Sequence, residues 1–242
     1  MKNKFSLKDK VVVVTGGSGL LGQSIVSSCS EQEATVVVLD LKSDFPCDIT
    51  RPDSVEAAVA KIIKTYGKID VLVNSAYPRN KNWGQIFEKI RFEDWCENVN
   101  GHLGGYFLVT QHVSREMVKK KSGSIINLAS IYGMVGPDFS IYEGTGMTMP
   151  AEYAAIKGGL INMTRYLATY LGHAQVRVNA VSPGGIFNDQ DSRFVERYEK
   201  KVPLGRMGRP EDVTGAIIFL ASDASQYVTG QNIAIDGGWT SL

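Results

Sequence analysis

Tyr153 and Lys157 are the residues whose types and spacing first suggest chemistry. They lie in Ala151-Glu152-Tyr153-Ala154-Ala155-Ile156-Lys157, a run of helix formers that follows Pro150, a residue suited to a first helical turn. Residues four apart share one face of a helix, so the phenol and the ammonium point into the same space. A nearby cation favours phenolate over phenol, so a tyrosine with an ordinary pKa of about 10 can act as acid or base nearer neutral pH. Tyr-x-x-x-Lys is also common on plain helix surfaces, and the rest of the chain decides between the two.

The elements that must position this pair begin with Val11-Val12-Val13-Val14, the pattern of a strand buried on both faces of a parallel sheet. Thr15-Gly16-Gly17-Ser18-Gly19-Leu20-Leu21-Gly22 follows, then a helical stretch from about Leu20 to Ser30. Glycines between a buried strand and a helix let backbone approach a pyrophosphate, and the helix N-terminus favours its charge. A second strand, Thr35–Leu39, ends in Asp40. A carboxylate about 20 residues past the glycines is placed to bind ribose hydroxyls and repel a 2′-phosphate, which points to NAD over NADP. The alternative is that Asp40 merely starts a turn. The seven residues between Asp40 and Asp48 are too few for a helical crossover, so Phe45–Cys47 is expected as a short strand, with Asp48 near an adenine.

Arg51–Tyr66 reads as an amphipathic helix stopped by Gly67. Ile69–Val73 is the fourth strand, with Asn74-Ser75-Ala76 at its carboxyl end and a loop carrying Arg79 and Lys81 beyond. One long helix is expected from about Phe92 to Lys120, with Lys119-Lys120-Lys121 as its solvated end. Ser124–Leu128 is the fifth strand, leading to Ala129-Ser130, and 131–150 is a long Gly- and Met-rich loop of the kind that is usually functional. The Tyr153 helix runs to about Gly172. Val176–Val181 is a sixth strand, Phe187–Lys201 a polar stretch resembling a lid, Glu211–Ala221 a helix and Asn232–Asp236 a last strand. This alternation predicts an α/β fold in one domain spanning 1–242: a doubly wound, Rossmann-like parallel sheet of about seven strands with helices on both faces. Ligands of such sheets bind at the carboxyl ends of the strands, where Gly16, Asp40, Asn74, Ser130 and Pro183 all fall.

The chain has 242 residues, 43% hydrophobic, with a net charge of +1, enough for one sizeable core and unsuited to nucleic acid or an anionic membrane surface as main partner. Cys29, Cys47 and Cys96 show no paired spacing, and no metal-ligand pattern joins them to His102, His112 or His173. No signal-peptide shape and no apolar run near the ~20 residues of a bilayer span is present, so a cytoplasmic protein is expected.

Together these residues resemble a short-chain dehydrogenase/reductase over nearly the whole chain, from Thr15-Gly16 to Tyr227-Val228-Thr229-Gly230-Gln231 and Asp236-Gly237-Gly238. The resemblance implies that Tyr153 is the acid/base, that Lys157 binds the nicotinamide ribose and lowers the tyrosine pKa, and that Ser130 bonds the substrate oxygen where charge grows. It implies a cofactor bound along Gly16, Ser18, Gly19, Leu20, Leu21, Gly22, Asp40, Leu41, Asp48, Ile49, Asn74, Ser75 and Ala76, with Tyr153, Lys157, Pro183, Gly184 and Ile186 at its nicotinamide end. It also implies a homotetramer or homodimer joined through the long helices.

Four features depart from the family pattern. The glycines run Gly16, Gly19, Gly22, with Leu20 where glycine is usual, and Tyr77 likewise stands where the family has glycine. The family's catalytic asparagine falls five residues before Phe107 and seven after Trp95, and that position is His102. His102 is expected to hold the relay water in its place, with a local bulge that brings in Asn100 as the rival. Ser130 and Tyr153 lie 23 residues apart, more than the family usually shows. The extra residues, Ile141-Tyr142-Glu143-Gly144-Thr145-Gly146-Met147-Thr148-Met149-Pro150, with Tyr77-Pro78-Arg79-Asn80-Lys81-Asn82 and His102-Leu103-Gly104-Gly105-Tyr106-Phe107, resemble the flagellin modification protein A subgroup. That subgroup implies a sugar-derived substrate of surface-glycan or nonulosonic-acid biosynthesis, with Arg79, Tyr142, Glu143 and Asn188 as candidate substrate contacts. The tail Pro203-Leu204-Gly205-Arg206-Met207-Gly208-Arg209-Pro210 also resembles 3-oxoacyl-carrier-protein reductases, although Asp40 stands against their usual NADPH. A nucleotide-sensing regulator on the same fold would not need Ser130, Tyr153 and Lys157 together.

Overall fold

The computed structural model describes residues 3–241. Its centre is β1 (Val11–Thr15), whose five residues are all buried. Successive side chains of a strand point to opposite faces, so Val11 and Val13 join one core and Val12 and Val14 the other. Burying both faces of β1 stabilises by roughly 1.5–3 kcal/mol per valine, which is why the run carries no polar residue until Thr15.

Six further strands follow: β2 (Thr35–Asp40), β3 (Phe45–Pro46), β4 (Val71–Asn74), β5 (Gly123–Leu128), β6 (Val176–Pro183) and β7 (Asn232–Ile235). They form one sheet in the order β3-β2-β1-β4-β5-β6-β7, every pairing parallel. The order reverses between β1 and β4, and a crevice must open there at the carboxyl edge. Helices α1 (Leu20–Glu31) and α7 (Pro210–Ala221) cover one face, where Ile25, Val213, Ile217 and Leu220 meet Val12, Val14, Val73 and Ile126. The other face carries α2 (Pro52–Tyr66), α4 (Gly105–Lys120) and α5 (Ala151–Leu171), through Val55, Ile62, Val109, Met117, Ile156 and Leu160. Gly67 closes α2 in the left-handed conformation, φ 74°.

Three expectations change. The single helix over Phe92–Lys120 is three pieces: α3 (Phe92–Val99), a π-helical turn over Asn100–Gly104, and α4. One residue wedged into a helix leaves no mark on apolar spacing, so the periodicity did not reveal it. Gly105 is needed just after the turn, because a Cβ there would lie 2.7 Å from Ile49 Cδ1. The polar stretch Phe187–Lys201 holds a helix, α6 (Ser192–Glu199), and is anchored: Phe194 and Tyr198 are buried with Ile141, Tyr142, Val202 and Met207 in a satellite core. At the end of α4, Lys120 pairs with Asp70 at 3.1 Å and is more than a solvated end. Among the described residues no helix is long and apolar enough to cross a membrane.

Candidate active site

The glycine turn is shaped by backbone. Gly16 has φ +64° and donates its N–H to Leu39 O, 2.8 Å away, and a Cβ on it would sit 2.5 Å from Ala76 Cα. A Cβ on Gly22 would lie 2.1 Å from Gly16 O, so α1 can press against the turn only with glycine there. Gly19 caps α1 and its N–H is held by Gly16 O (3.0 Å), so the N–H groups left for an anion are those of the helix's first turn, which begins at exposed Leu20 with Leu21 half-buried behind. Asp40 Oδ2 accepts from Ser18 N (3.1 Å) and Oδ1 from Leu41 N (2.8 Å), which fixes the carboxylate beside the turn, while Leu41 is exposed. These groups fit a dinucleotide: a close-approach backbone cradle, a helix N-terminus for the pyrophosphate and a carboxylate at the end of β2.

Three expected cofactor contacts serve the fold with their side chains. Asn74 is fully buried, and its Nδ2 donates to Thr110 Oγ1 (3.0 Å) and Asn127 Oδ1 (2.9 Å), bolting β4 to β5 and α4. Ile49 packs in the core against Gly105. The Asp48 carboxylate accepts from Thr50 N (2.9 Å) and Thr50 Oγ1 (2.7 Å), forming the turn that leads into α2. The N–H groups of Ser75 and Ala76 are held by Thr15 Oγ1 at 3.0 and 3.2 Å, so the end of β4 is spliced to β1. On the other flank, Gly184 N donates to Ile235 O (2.9 Å), Pro183 is buried and Ile186 bridges to Gly208.

At the end of β5, Ser130 takes an extended conformation and is buried; its Oγ accepts from Tyr132 N (3.2 Å) and lies close enough to the Tyr153 phenol to lower its pKa. Lys157, one turn along α5, is 5% exposed, and its Nζ donates to Leu128 O at 2.7 Å. His102 is fully buried on the π-helical turn with Nε2 3.4 Å from Lys157 Nζ. Asn100 is exposed. The bulge is therefore real, and it is His102 that it turns inward. A lysine N–H donated to Nε2 leaves the imidazole proton on Nδ1, which has no partner among the described residues.

Burial governs the electrostatics here, contrary to the expectation that Lys157 lowers the Tyr153 pKa. It pushes Tyr153 above its ordinary value, opposed by the Ser130 hydrogen bond, so the phenol is the resting form. It also lowers Lys157 to about 7. His102 is held well below its usual range, by burial first and by the Lys157 charge second.

Of the expected substrate contacts, Arg79 is exposed with its guanidinium carbon 5.5 Å from the Tyr77 ring centroid. Tyr142 is 7% exposed, its hydroxyl on Tyr132 (3.3 Å) and its ring on Phe194, so it packs the satellite core and does not line an open surface. Glu143 is exposed and engages Arg197 through its carbonyl, and Asn188 is exposed in a turn with Gln190. Sequence reasoning missed Trp83, whose ring lies 6.3 Å from that of Tyr153, and Glu152, 1% exposed and bonded to Asn98. A lone Trp in a polar loop was the available signal for the first. The second had none, since a glutamate in a first helical turn reads as a surface residue.

A strand-end glycine cradle beside a Ser–Tyr–Lys cluster defines an NAD(P)-binding oxidoreductase of the doubly wound α/β class. The family model described as enoyl-(acyl carrier protein) reductase matches residues 18–240. Post-translational flagellin modification protein A of Campylobacter coli is 35% identical over 96% of this chain and 99% of its own length. The 3-oxoacyl-[acyl-carrier-protein] reductase of Thermotoga maritima is also 35% identical, over 96% and 98%. A solved short-chain dehydrogenase from Leptospira borgpetersenii with bound NAD+ superposes with a TM-score of 0.90 at 38% identity, covering 99% of this chain and 96% of that one. The chain belongs to the short-chain dehydrogenase/reductase family and is an NAD(P)-dependent oxidoreductase acting on CH–OH or keto groups.

Proposed function

We propose that this enzyme prefers NAD and interconverts a secondary alcohol and a ketone on a sugar-derived substrate of surface-glycan or nonulosonic-acid biosynthesis. The observation that carries the cofactor choice is Asp40, a carboxylate fixed beside the glycine turn by Ser18 N and Leu41 N, where a 2′-phosphate would meet like charge. The likeness to the Campylobacter coli protein supports the substrate class.

The dinucleotide supplies or receives the hydride. In the reducing direction Tyr153 gives its phenolic proton to the substrate oxygen as the carbonyl carbon gains hydride, so the products are an alcohol and a tyrosinate. The Ser130 hydroxyl bonds that oxygen while charge grows on it. Lys157, tied to Leu128 O, provides the cation that steadies the tyrosinate, and His102 accepts from Lys157 and holds the relay path to water. Arg79, at the rim, meets a phosphate or carboxylate of the substrate. The exposed faces of α4 and α5, with Phe107, Tyr166 and Tyr170, support a homotetramer or homodimer, and three free thiols support the cytoplasm.

The second reading, a 3-oxoacyl-carrier-protein reductase, is favoured by the Thermotoga maritima relative. One experiment separates them: NADH formation from NAD across amino sugars, sugar phosphates and nucleotide sugars, with acetoacetyl-CoA and NADH or NADPH as the reductive arm. Oxidation of a sugar with NAD is the expected result. Turnover of the thioester alone, with NADPH, gives the answer to the second reading. A regulator without catalysis is disfavoured by the assembled Ser130, Tyr153 and Lys157.

A further inference from the structure

Three aromatic rings meet at the reactive tyrosine. The Tyr77 ring is 6.0 Å from that of Tyr153 at 89°, and the Trp83 ring is 6.3 Å from it at 78°. Tyr77 and Trp83 contact each other at 5.6 Å and 84°. Edge-to-face contact at these distances is attractive and leaves ring surface facing outward, and Tyr77 is 43% exposed.

The segment that carries these rings is held by a polar clamp. Asn80 N donates to Asn98 Oδ1 (2.9 Å), and Asn98 Nδ2 donates to Glu152 Oε1 (3.2 Å). Asn80 Nδ2 reaches Asp94 Oδ1 and Asn82 Nδ2 shares that oxygen, at 2.8 and 2.9 Å. Asn98 and Glu152 are 2% and 1% exposed, and burying such groups is costly unless they are bonded, so the Asn98 bond matters to a carboxylate whose Oε2 has no partner among the described residues. The clamp thus ties the loop after β4 to α3 and to the residue that precedes Tyr153.

We propose that Tyr77 and Trp83 are specificity-determining residues, forming a wall that takes the C–H face of a six-membered sugar ring, with Glu152 as the positioning residue that holds it. The inference rests on the sugar reading above and names how the sugar is recognised. Aromatic faces carry negative charge density, and the axial C–H bonds of a pyranose are weakly positive, so the two faces attract. Stacked on the wall, a ring alcohol has its oxygen within reach of Ser130 and Tyr153. A flexible acyl thioester offers no matching rigid face. Arg79, above Tyr77, adds a cation at the edge of the wall for an anionic ring substituent.

The test uses saturation-transfer NMR on the full chain with NAD+ present. The probes are N-acetylglucosamine, glucose 6-phosphate and UDP-N-acetylglucosamine, with acetoacetyl-CoA as the open-chain comparison. The expected result is saturation of ring C–H protons in at least one sugar, about tenfold weaker affinity in Trp83→Ala and recovery in Trp83→Phe, with NAD+ affinity unmoved. Glu152→Ala is expected to weaken sugar binding with both rings still in the chain, and Glu152→Gln to restore it. For a sugar that is turned over, the loss falls on KM with kcat nearly kept. Equal sugar binding by wild type and Trp83→Ala overturns the proposal, as does the absence of saturation in every sugar. NADH formation separates the two failures: a sugar oxidised with KM unchanged in Trp83→Ala sinks the wall alone, whereas reduction of acetoacetyl-CoA alone sinks the sugar reading itself.

Discussion

On the glycine side of the cleft, the groups proposed to hold the cofactor belong largely to the backbone: the turn at Gly16, the first N–H groups of α1 and the spliced end of β4. On the tyrosine side the residues proposed to act are side chains brought from four segments: Tyr77 and Trp83 after β4, His102 on the π-helical turn, Ser130 after β5, and Tyr153 with Lys157 on α5. The first arrangement follows from parallel strands and a tight strand-to-helix turn that only glycine at positions 16 and 22 permits. The second depends on local insertions and packing, and substrate choice can change there without disturbing the sheet.

Substitutions on the two sides should therefore fail in different ways. Apart from Tyr153 itself, the largest effect is expected at His102. His102→Ala lowers kcat by about 10²-fold with NAD affinity kept, while Asn100→Ala stays near wild type, as steady-state kinetics would reveal. The reverse pattern would move the relay to Asn100. Next comes Gly22→Ala, whose Cβ has no room beside Gly16 O. It is expected to cost roughly 1–3 kcal/mol in a urea titration and to weaken NAD binding, leaving the intrinsic chemistry of bound substrate alone. Asp40→Ala should lose about tenfold in NAD preference over NADP, read from the ratio of kcat/KM values, because a charged ribose acceptor is removed.

The smallest effect is on stability against pH. Burial lowers Lys157 from an ordinary 10.5 to about 7 in the folded protein. Between those values the unfolded chain binds the extra proton, so this lysine makes stability rise with pH through that window, and its full penalty is present below about 7. Lys157→Met should flatten the difference in urea midpoint between pH 6.5 and 9.5 relative to wild type. Comparison with the variant is needed because Cys29 and Cys47, pushed up by burial to about 12 and 11, act in the opposite direction. A wild-type profile that Lys157→Met leaves unaltered would mean that the ammonium is solvated.

This division also explains what the sequence made legible. The valine run, the glycine turn and the strand-end residues are local signals, and they gave the sheet, its helices and the cofactor side. The register from Trp95 and Phe107 pointed to His102, which lies buried beside Lys157, although the π-helical turn that buries it was invisible to periodicity. Tyr142 and Asn74 are buried, and no local pattern announces the hydrogen bonds that engage the Tyr142 hydroxyl and the Asn74 amide nitrogen. The same holds for the buried stretch at Phe194 and Tyr198, where two aromatics in a polar run suffice to anchor a helix. The pairing of Glu152 with Asn98 spans 54 residues, a contact that no local pattern announces.

The most direct test of the account is Tyr153→Phe, measured side by side for NAD+ affinity and for NADH formation on whichever alcohol the wild type oxidises. The account predicts unchanged NAD+ affinity, since the glycine cradle is untouched, and a fall in turnover of about 10²–10⁴-fold, the usual contribution of a positioned acid/base. Turnover within a few-fold of wild type would contradict it and remove Tyr153 from the centre of the chemistry.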